Sequence, residues 1–116
     1  MIYLPVEELH AQHNFNYYII RIREPNSVRN RLPNDLDSQG IATAIYYPLS
    51  LHMQDALKYL GYGPGDFPES EQAQREVLSL PMFPELQPDQ VVRVAQTIKH
   101  IVNRDRLRLV PKLEED

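Results

Sequence analysis

The chain has 116 residues, 42% of them hydrophobic, and its 12 Lys and Arg are outnumbered by 16 Asp and Glu, for a net charge of -4. This length supports one modest core, so we expect a single domain over residues 1–116. The acidic balance argues against nucleic acid as a partner, and the absence of cysteine excludes disulfides and thiol catalysis. No membrane helix or signal-type segment is recognisable, which predicts a cytoplasmic protein without a membrane partner.

Eight elements are predicted from the spacing of apolar residues and the positions of glycine and proline. In chain order they are an irregular, partly extended lead-in over residues 1–13, a strand over Phe15–Ile22, a helix over Asn30–Gln39, a strand over Ile41–Tyr46, a short helix over residues 53–60, a helix from Asp66 toward Val77, an edge strand over residues 78–83 and a long helix from Pro88. Asn30 is the expected N-cap of the first helix. Asp66 and Glu69 resemble a capping box. Gly40 and Gly61 should end the helices that precede them.

The character of these elements predicts the fold class. The first strand carries aromatic and branched side chains on both faces and should be central and covered on both sides. The long helix should bury one apolar stripe: Val91, Val94, Ala95, Ile98, Ile101 and Val102. Residues Leu113–Asp116 should form a frayed acidic tail. We therefore predict an α+β fold in which a small antiparallel or mixed sheet carries helices mainly on one side and leaves an apolar face exposed.

The segment Gly40–His52, GIATAIYYPLSLH, places two tyrosines, a proline and a histidine where the second predicted strand ends. Because Pro48 has no N–H to give to a sheet, pairing should stop there, and Tyr46, Tyr47 and His52 lie at or beyond that end. Side chains in such positions often contact ligands or other subunits. The alternative is that they are core aromatic residues with polar tips at the surface, and local pattern alone favours this alternative.

Several residues are of types used in catalysis or metal binding, but the sequence around them does not support either function. His10 and His13 are close in sequence but lie in the lead-in, so we predict no metal site. Glu69, Glu71 and Glu76 are typical of a solvated helix face, with Glu71 alone as a candidate for a buried structural role. The serines lie in ordinary turn, cap or loop contexts, and the three lysines lack an apolar, ligand-facing setting. We therefore predict no catalytic residue in this chain.

Four segments taken together resemble the C-terminal region of the pyridoxal-phosphate-dependent sugar-nucleotide aminotransferases of the DegT/DnrJ/StrS family. In the family's order and spacing they are His13–Ile22 (HNFNYYIIRI), Gly40–His52 (GIATAIYYPLSLH), Leu60–Glu71 (LGYGPGDFPESE) and Val77–Leu86 (VLSLPMFPEL). The resemblance runs nearly from end to end. For Tyr46, Tyr47 and His52, the resemblance favours a role in ligand contact over a role in the core.

The resemblance implies a fold-type-I aminotransferase in which a larger N-terminal domain carries the Schiff-base lysine and most of the pyridoxal 5'-phosphate site. The present chain resembles the smaller C-terminal domain, which in the family closes over the active site and helps to form a homodimer. We therefore expect that the chain alone binds no cofactor stably. Its expected partners are the missing N-terminal domain, a second subunit and a nucleotide sugar.

The resemblance also implies roles for individual residues. Three side chains are expected near the nucleotide-sugar substrate: Tyr46, Tyr47 and His52. His13 and Asn16 are expected to approach the active site across the dimer interface. Glu71 matches the glutamate of the family's FPxxE segment, for which a structural hydrogen-bonding role is expected.

Three positions depart from the family pattern. Tyr17 stands where glutamine is common, which alters a polar group near the proposed interface. Ser50 replaces the second proline of YYPxPLH, which is expected to loosen the loop that presents His52. Asn30 replaces part of an Arg-Asp pair, although Arg29 remains. The sugar preference therefore stays open.

Two hypotheses about function follow. The first is that the chain is the C-terminal part of an aminotransferase acting on a keto nucleotide sugar in amino-sugar or polysaccharide biosynthesis, inactive alone. The second is that it is a stand-alone interaction or oligomerisation module that pairs with a separate N-terminal half. The expected exposed apolar face motivates the second hypothesis.

Overall fold

The computed structural model describes residues 1–23 and 28–108, with the backbone alone for residues 105–108. Its elements are β1 (Ile2–Tyr3), β2 (Tyr18–Ile22), α1 (Val28–Asp37), two 3-10 helices (Leu51–Met53 and Asp55–Leu60), α2 (Pro68–Glu76), β3 (Val77–Leu80) and α3 (Pro88–Arg108). The predicted tail at Leu113–Asp116 lies outside the described residues.

The strands form one antiparallel sheet in the order β1-β2-β3, so the predicted α+β class is confirmed. Ile2 pairs with Ile22, and Ile20 pairs with Leu78. The strand β2 is central, as predicted, although it begins at Tyr18. The lead-in supplies β1, which local pattern did not indicate because only two residues pair.

The predicted strand over Ile41–Tyr46 was wrong. Only Ala44 pairs with the sheet, through an isolated bridge to Ser79 of β3. The Ala44 N–H donates to the Ser79 carbonyl at 3.1 Å, and the Ser79 N–H donates to the Ala44 carbonyl at 2.8 Å. The chain bends at Tyr46, and Pro48 has no N–H to donate to a neighbouring strand. The β-favouring residues of this segment therefore do not form a continuous ladder with β3.

The core lies on one face of the sheet, against α1 and the C-terminal half of α3. Its buried residues are Ile20, Ile22, Val28, Leu32, Leu36, Ile41, Leu78, Ile98, Ile101 and Val102. On the opposite face of β2, Ile19 is exposed and Arg21 is half-buried. The expectation that β2 is covered on both sides holds only in part, because Glu76 of α2 contacts Arg21 on this face whereas Ile19 stays exposed.

The helices end near the predicted glycines, but they do not begin at the predicted capping residues. Gly40 and Gly61 adopt the left-handed conformation, with φ of +72° and +77°, and each follows the end of a helical segment as predicted. The capping box was wrong, because the Asp66 carboxylate accepts the Gly63 N–H at 2.7 Å and α2 begins at Pro68 without a side-chain cap. The helix α1 begins two residues before Asn30.

The long helix α3 buries only part of its apolar stripe. Ile98, Ile101 and Val102 belong to the core, whereas Val91 is half-exposed. The helix also borders an apolar groove of about 530 Å³ that runs along it from Val91 to Asn103. The residues lining this α3 groove are Ile2, Leu4, Tyr18, Ile20, Leu80, Pro81, Met82, Leu86, Val91, Val94, Ala95, Ile98, Lys99, Val102 and Asn103. Across the described part of the chain, no helix has the length and hydropathy to cross a membrane.

Candidate functional site

The segment Gly40–His52 is anchored near both ends and exposed in the middle. After the left-handed Gly40, Ile41 is buried in the core and its N–H donates to the Leu36 carbonyl at 3.0 Å. Between the Ala44 bridge and the buried Ser50, the two tyrosines face solvent. The exposed fractions are 54% for Tyr46 and 70% for Tyr47. The structure therefore presents both rings at the surface.

His52 lies in the first 3-10 helix and is buried, with an exposed fraction of 7%. Its Nε2 is 2.9 Å from Oε1 of Glu71 in α2, and the ring of Phe67 packs 4.9 Å away, centroid to centroid. The Glu71 carboxylate also accepts the Gly65 N–H at 2.8 Å. One carboxylate thus connects the segment that carries His52 to the loop that precedes α2.

The same contacts favour ionised Glu71. The hydrogen bond with His52 is the main cause that lowers the pKa of Glu71, and backbone hydrogen bonds from Gly65 and Phe67 to the carboxylate lower it further. Burial acts in the opposite direction and is outweighed. A carboxylate acceptor pointed at the imidazole holds the ring in one orientation. This geometry is consistent with the structural hydrogen-bonding role expected for Glu71.

Ser50 adds a second connection to α2. Its backbone N–H donates to Oε1 of Gln74, and its hydroxyl accepts from the Ser70 hydroxyl at 3.1 Å. A proline at this position would have no N–H to donate. The serine thus gains a backbone bond that proline cannot form, which opposes the expected loosening of the loop. Three residues of α2 hold the segment: Ser70, Glu71 and Gln74.

The other proposed site residues precede β2. His13 is half-buried and its Nδ1 accepts the Phe15 N–H at 2.7 Å, while Asn16 is exposed. Phe15 has a φ of +49°, a backbone conformation that residues other than glycine rarely adopt. His13 and Asn16 lie on this tight turn.

The turn and the tyrosine segment meet at a pair of rings. The Tyr17 and Tyr46 ring centroids are 4.8 Å apart, with an interplanar angle of 46°. Sequence reasoning noted Tyr17 only as a departure from the family pattern. The contact joins two segments that are far apart in sequence, so no local spacing could have indicated it.

Glu76 was also missed, since it was grouped with a solvated helix face. It is buried at the end of α2, where its carboxylate lies 3.0 Å from Nε of Arg21 and 2.9 Å from Nε of Arg23. Burial alone would raise the pKa of Glu76, but hydrogen bonds from Arg23 and Gln72 and the two positive charges outweigh it and lower the pKa. Arg21 and Arg23 are two apart on a strand and share a face, a signal that could have indicated a buried carboxylate partner.

The lysines with described side chains do not fit a cofactor site. Lys58 Nζ lies 2.7 Å from the Asp55 carboxylate, and both side chains are largely exposed. Lys99 is exposed on α3. Among the described residues, no group of three or more His, Cys, Asp or Glu side chains could hold a metal ion.

Comparisons with known proteins connect this arrangement to one family. The sequence profile of the DegT/DnrJ/EryC1/StrS aminotransferase family matches residues 1–99. A pleiotropic regulatory protein of Geobacillus stearothermophilus is 42% identical over 104 residues, which cover 86% of this chain and 27% of that protein. The dTDP-3-amino-3,4,6-trideoxy-alpha-D-glucose transaminase of Streptomyces venezuelae is 37% identical over 78 residues, which cover 66% of this chain and 20% of the transaminase.

Solved structures show the same relationship. The crystal structure of S. venezuelae DesV in complex with a ketimine intermediate superposes with a TM-score of 0.77 at 30% identity. The superposition covers 85% of this chain and 26% of DesV. The chain therefore spans about a quarter of the length of the relatives that it matches.

Proposed function

Because the chain belongs to the DegT/DnrJ/EryC1/StrS aminotransferase family, we propose that it is the C-terminal part of a cytoplasmic, pyridoxal-phosphate-dependent aminotransferase acting on a keto nucleotide sugar. The observation that carries this proposal is the pattern of coverage: the match includes residues 1–99 but only about a quarter of the relatives' length. We further propose that residues 1–116 form one domain. The product would be an amino sugar attached to a nucleotide.

In this proposal the chain supplies contacts to the substrate. Tyr46 and Tyr47 offer exposed rings and hydroxyl groups, which can donate to and accept from the sugar and phosphate oxygens. His52 is fixed through Nε2 by Glu71, which leaves Nδ1 as the ring atom for a substrate contact. Rigid support of this kind lowers the entropy lost on binding and orients the reacting carbon.

His13 and Asn16 are proposed to face a second subunit. The tight turn at Phe15 holds them in a fixed arrangement, and exposed Asn16 can both donate and accept hydrogen bonds. In a homodimer they would approach the active site of the partner, so the site would be complete only after dimerisation.

Pyridoxal phosphate, where bound, supplies the electron sink for amino-group transfer. The lysines with described side chains do not fit its site. We therefore place the cofactor in the part of the enzyme that this chain does not match in its relatives. The chain's own residues would bind and orient the sugar and exclude water from it.

The first experiment measures activity of the 116-residue chain alone. We expect no amino sugar from the chain mixed with pyridoxal phosphate, a keto nucleotide sugar and glutamate. Steady turnover would contradict the division of roles.

The second experiment is a chimera in which the chain replaces the matching C-terminal region of the S. venezuelae transaminase. We expect measurable transaminase activity from the chimera and none from the S. venezuelae protein lacking that region. A folded, dimeric chimera without activity would contradict the proposal that this chain completes the site.

The α3 groove favours a second candidate function, a module that pairs with a separately made N-terminal half. An exposed apolar groove is a surface on which another protein or domain can bind. Light scattering during size-exclusion chromatography distinguishes the candidates. A monomer at high concentration that shows no association with a relative's N-terminal region would count against the module.

A further inference from the structure

The contact between Tyr17 and Tyr46 has an unusual setting, because both rings are substantially exposed. The exposed fraction is 47% for Tyr17 and 54% for Tyr46, so neither ring is a core residue. Their centroids are nevertheless only 4.8 Å apart. Aromatic pairs at this separation stabilise each other beyond the surface that they bury.

The sheet brings the two rings together. Ser79 of β3 pairs with Ile19 on one side and with Ala44 on the other, so the segments that carry Tyr17 and Tyr46 flank the same strand. Tyr17 directly precedes β2, where the register is fixed by the pairing of Tyr18 with Leu80. The backbone of Tyr17 is therefore next to a residue that the sheet holds in place.

The neighbouring tyrosine provides a contrast. Tyr47 is more exposed, and it has no ring partner within the described residues. An exposed side chain without a partner samples several rotamers and loses this freedom when it binds a ligand. Tyr46 has already lost part of that freedom through its contact with Tyr17, so it is the better prepared of the two for a defined contact.

We propose that Tyr17 is a positioning residue, whose ring holds the Tyr46 ring where it contacts the nucleotide sugar and so helps to select which nucleotide sugar fits. The inference rests on the proposed substrate contact of Tyr46. Tyr17 acts through packing, so phenylalanine should replace it and glutamine, which has no ring, should not.

The first test needs no ligand. In the 116-residue chain with labelled tyrosines, NMR should show cross-relaxation between the Tyr17 and Tyr46 rings. Tyr17→Gln should shift the Tyr46 ring signals, while Tyr17→Phe should leave them near their original positions. The control Tyr59→Gln alters another exposed tyrosine and should leave Tyr46 unchanged. Unchanged backbone amide signals from α3 would verify folding, and unchanged Tyr46 signals in folded Tyr17→Gln would overturn the inference.

The second test adds dTDP-glucose or UDP-glucose at millimolar concentration to the S. venezuelae chimera, which supplies the rest of the proposed site. We expect Tyr46 ring signals to move in the unsubstituted chimera and in its Tyr17→Phe variant. Affinity should fall about two- to tenfold in Tyr17→Gln, as expected for loss of one aromatic pair. The ratio of the two dissociation constants should also change.

The outcomes separate this inference from the proposed function. If Tyr46 does not respond to either ligand in an active, unsubstituted chimera, the proposed substrate contact is wrong and the inference falls with it, whatever the ligand-free spectra show. If Tyr46 responds and the Tyr17→Gln chimera binds both ligands as the unsubstituted chimera does, this inference alone is overturned.

Discussion

The core and the segment Gly40–His52 are held in place by different forces. The core buries branched side chains between one face of the sheet and two helices, where Leu32, Leu36 and Leu78 are fully buried. The segment is fixed mainly by hydrogen bonds at Ala44, Ser50 and His52, between which its tyrosines stay exposed. The fold can therefore expose the two tyrosines while other residues of the segment hold it in place.

The difference predicts separable effects of mutation. Loss of a core side chain should weaken the whole domain, because apolar burial is the main source of folding free energy. Loss of a hydrogen bond to the segment should chiefly displace the site. Loss of an exposed tyrosine should leave stability nearly unchanged.

The largest effect is expected from Leu36→Ala. The side chain is fully buried, so the variant should lose about 2–5 kcal/mol of unfolding free energy, measured by urea denaturation. The matched control Leu9→Ala alters a fully exposed leucine and should change stability by less than about 0.5 kcal/mol. Equal effects at the two positions would show that the core is wrongly assigned.

A smaller effect is expected from His52→Ala, which removes the hydrogen bond to Glu71 and the ring contact with Phe67. We expect a loss of about 1–3 kcal/mol, together with faster amide hydrogen exchange at Ser50. The control His10→Ala alters an exposed histidine. If the two histidine variants behave alike, the segment does not depend on this anchor.

Acid should weaken the anchor at Glu71 in a defined direction. Its pKa is below the ordinary value of 4.5 in the folded chain, so the unfolded chain binds the proton more tightly. The resulting stabilisation is present above that value and is lost as the pH falls through the lower, folded pKa. Glu76 shifts in the same direction and should add to the loss.

Urea denaturation across pH 7 to pH 3 measures this dependence. Glu71→Gln should reduce the decline in stability at acid pH, whereas the exposed control Glu69→Gln should retain the original profile. An unchanged profile in Glu71→Gln would mean that this carboxylate does not stabilise the fold through its charge.

The smallest effect on stability is expected from Tyr47→Ala. Because the ring is 70% exposed, unfolding free energy should change by less than about 0.5 kcal/mol. Thermal denaturation monitored by circular dichroism is sufficient to measure it. A large loss would mean that Tyr47 is part of the packing and would remove the distinction between the two regions.

Sequence reasoning was most successful where structure depends on local pattern. The apolar spacing in α3, the left-handed Gly40 and Gly61 and the central β2 were all predicted. The boundaries of α1 and the 3-10 character after Pro48 were harder to predict from sequence, since tertiary contacts decide how far a helix extends.

The errors share a physical cause. The strand after Gly40 has suitable residues, but a ladder also needs a partner, and the four-residue β3 supplies one paired position, at Ser79. The Glu76 ion pairs and the contact between Tyr17 and Tyr46 join residues distant in sequence. Local pattern indicated Tyr46, Tyr47 and His52 as one of two alternatives and family resemblance favoured their site role, whereas the anchoring of His52 by α2 required the three-dimensional structure.

The most direct test of the substrate-facing role is the steady-state kinetics of the S. venezuelae chimera with Tyr47→Ala, compared with Tyr59→Ala. We predict that Tyr47→Ala lowers kcat/KM for the nucleotide sugar about tenfold, as loss of a hydrogen-bonded substrate contact would. The KM for the amino donor and the thermal stability should stay unchanged. If Tyr47→Ala and Tyr59→Ala have the same kcat/KM, the exposed tyrosine segment does not contact the substrate.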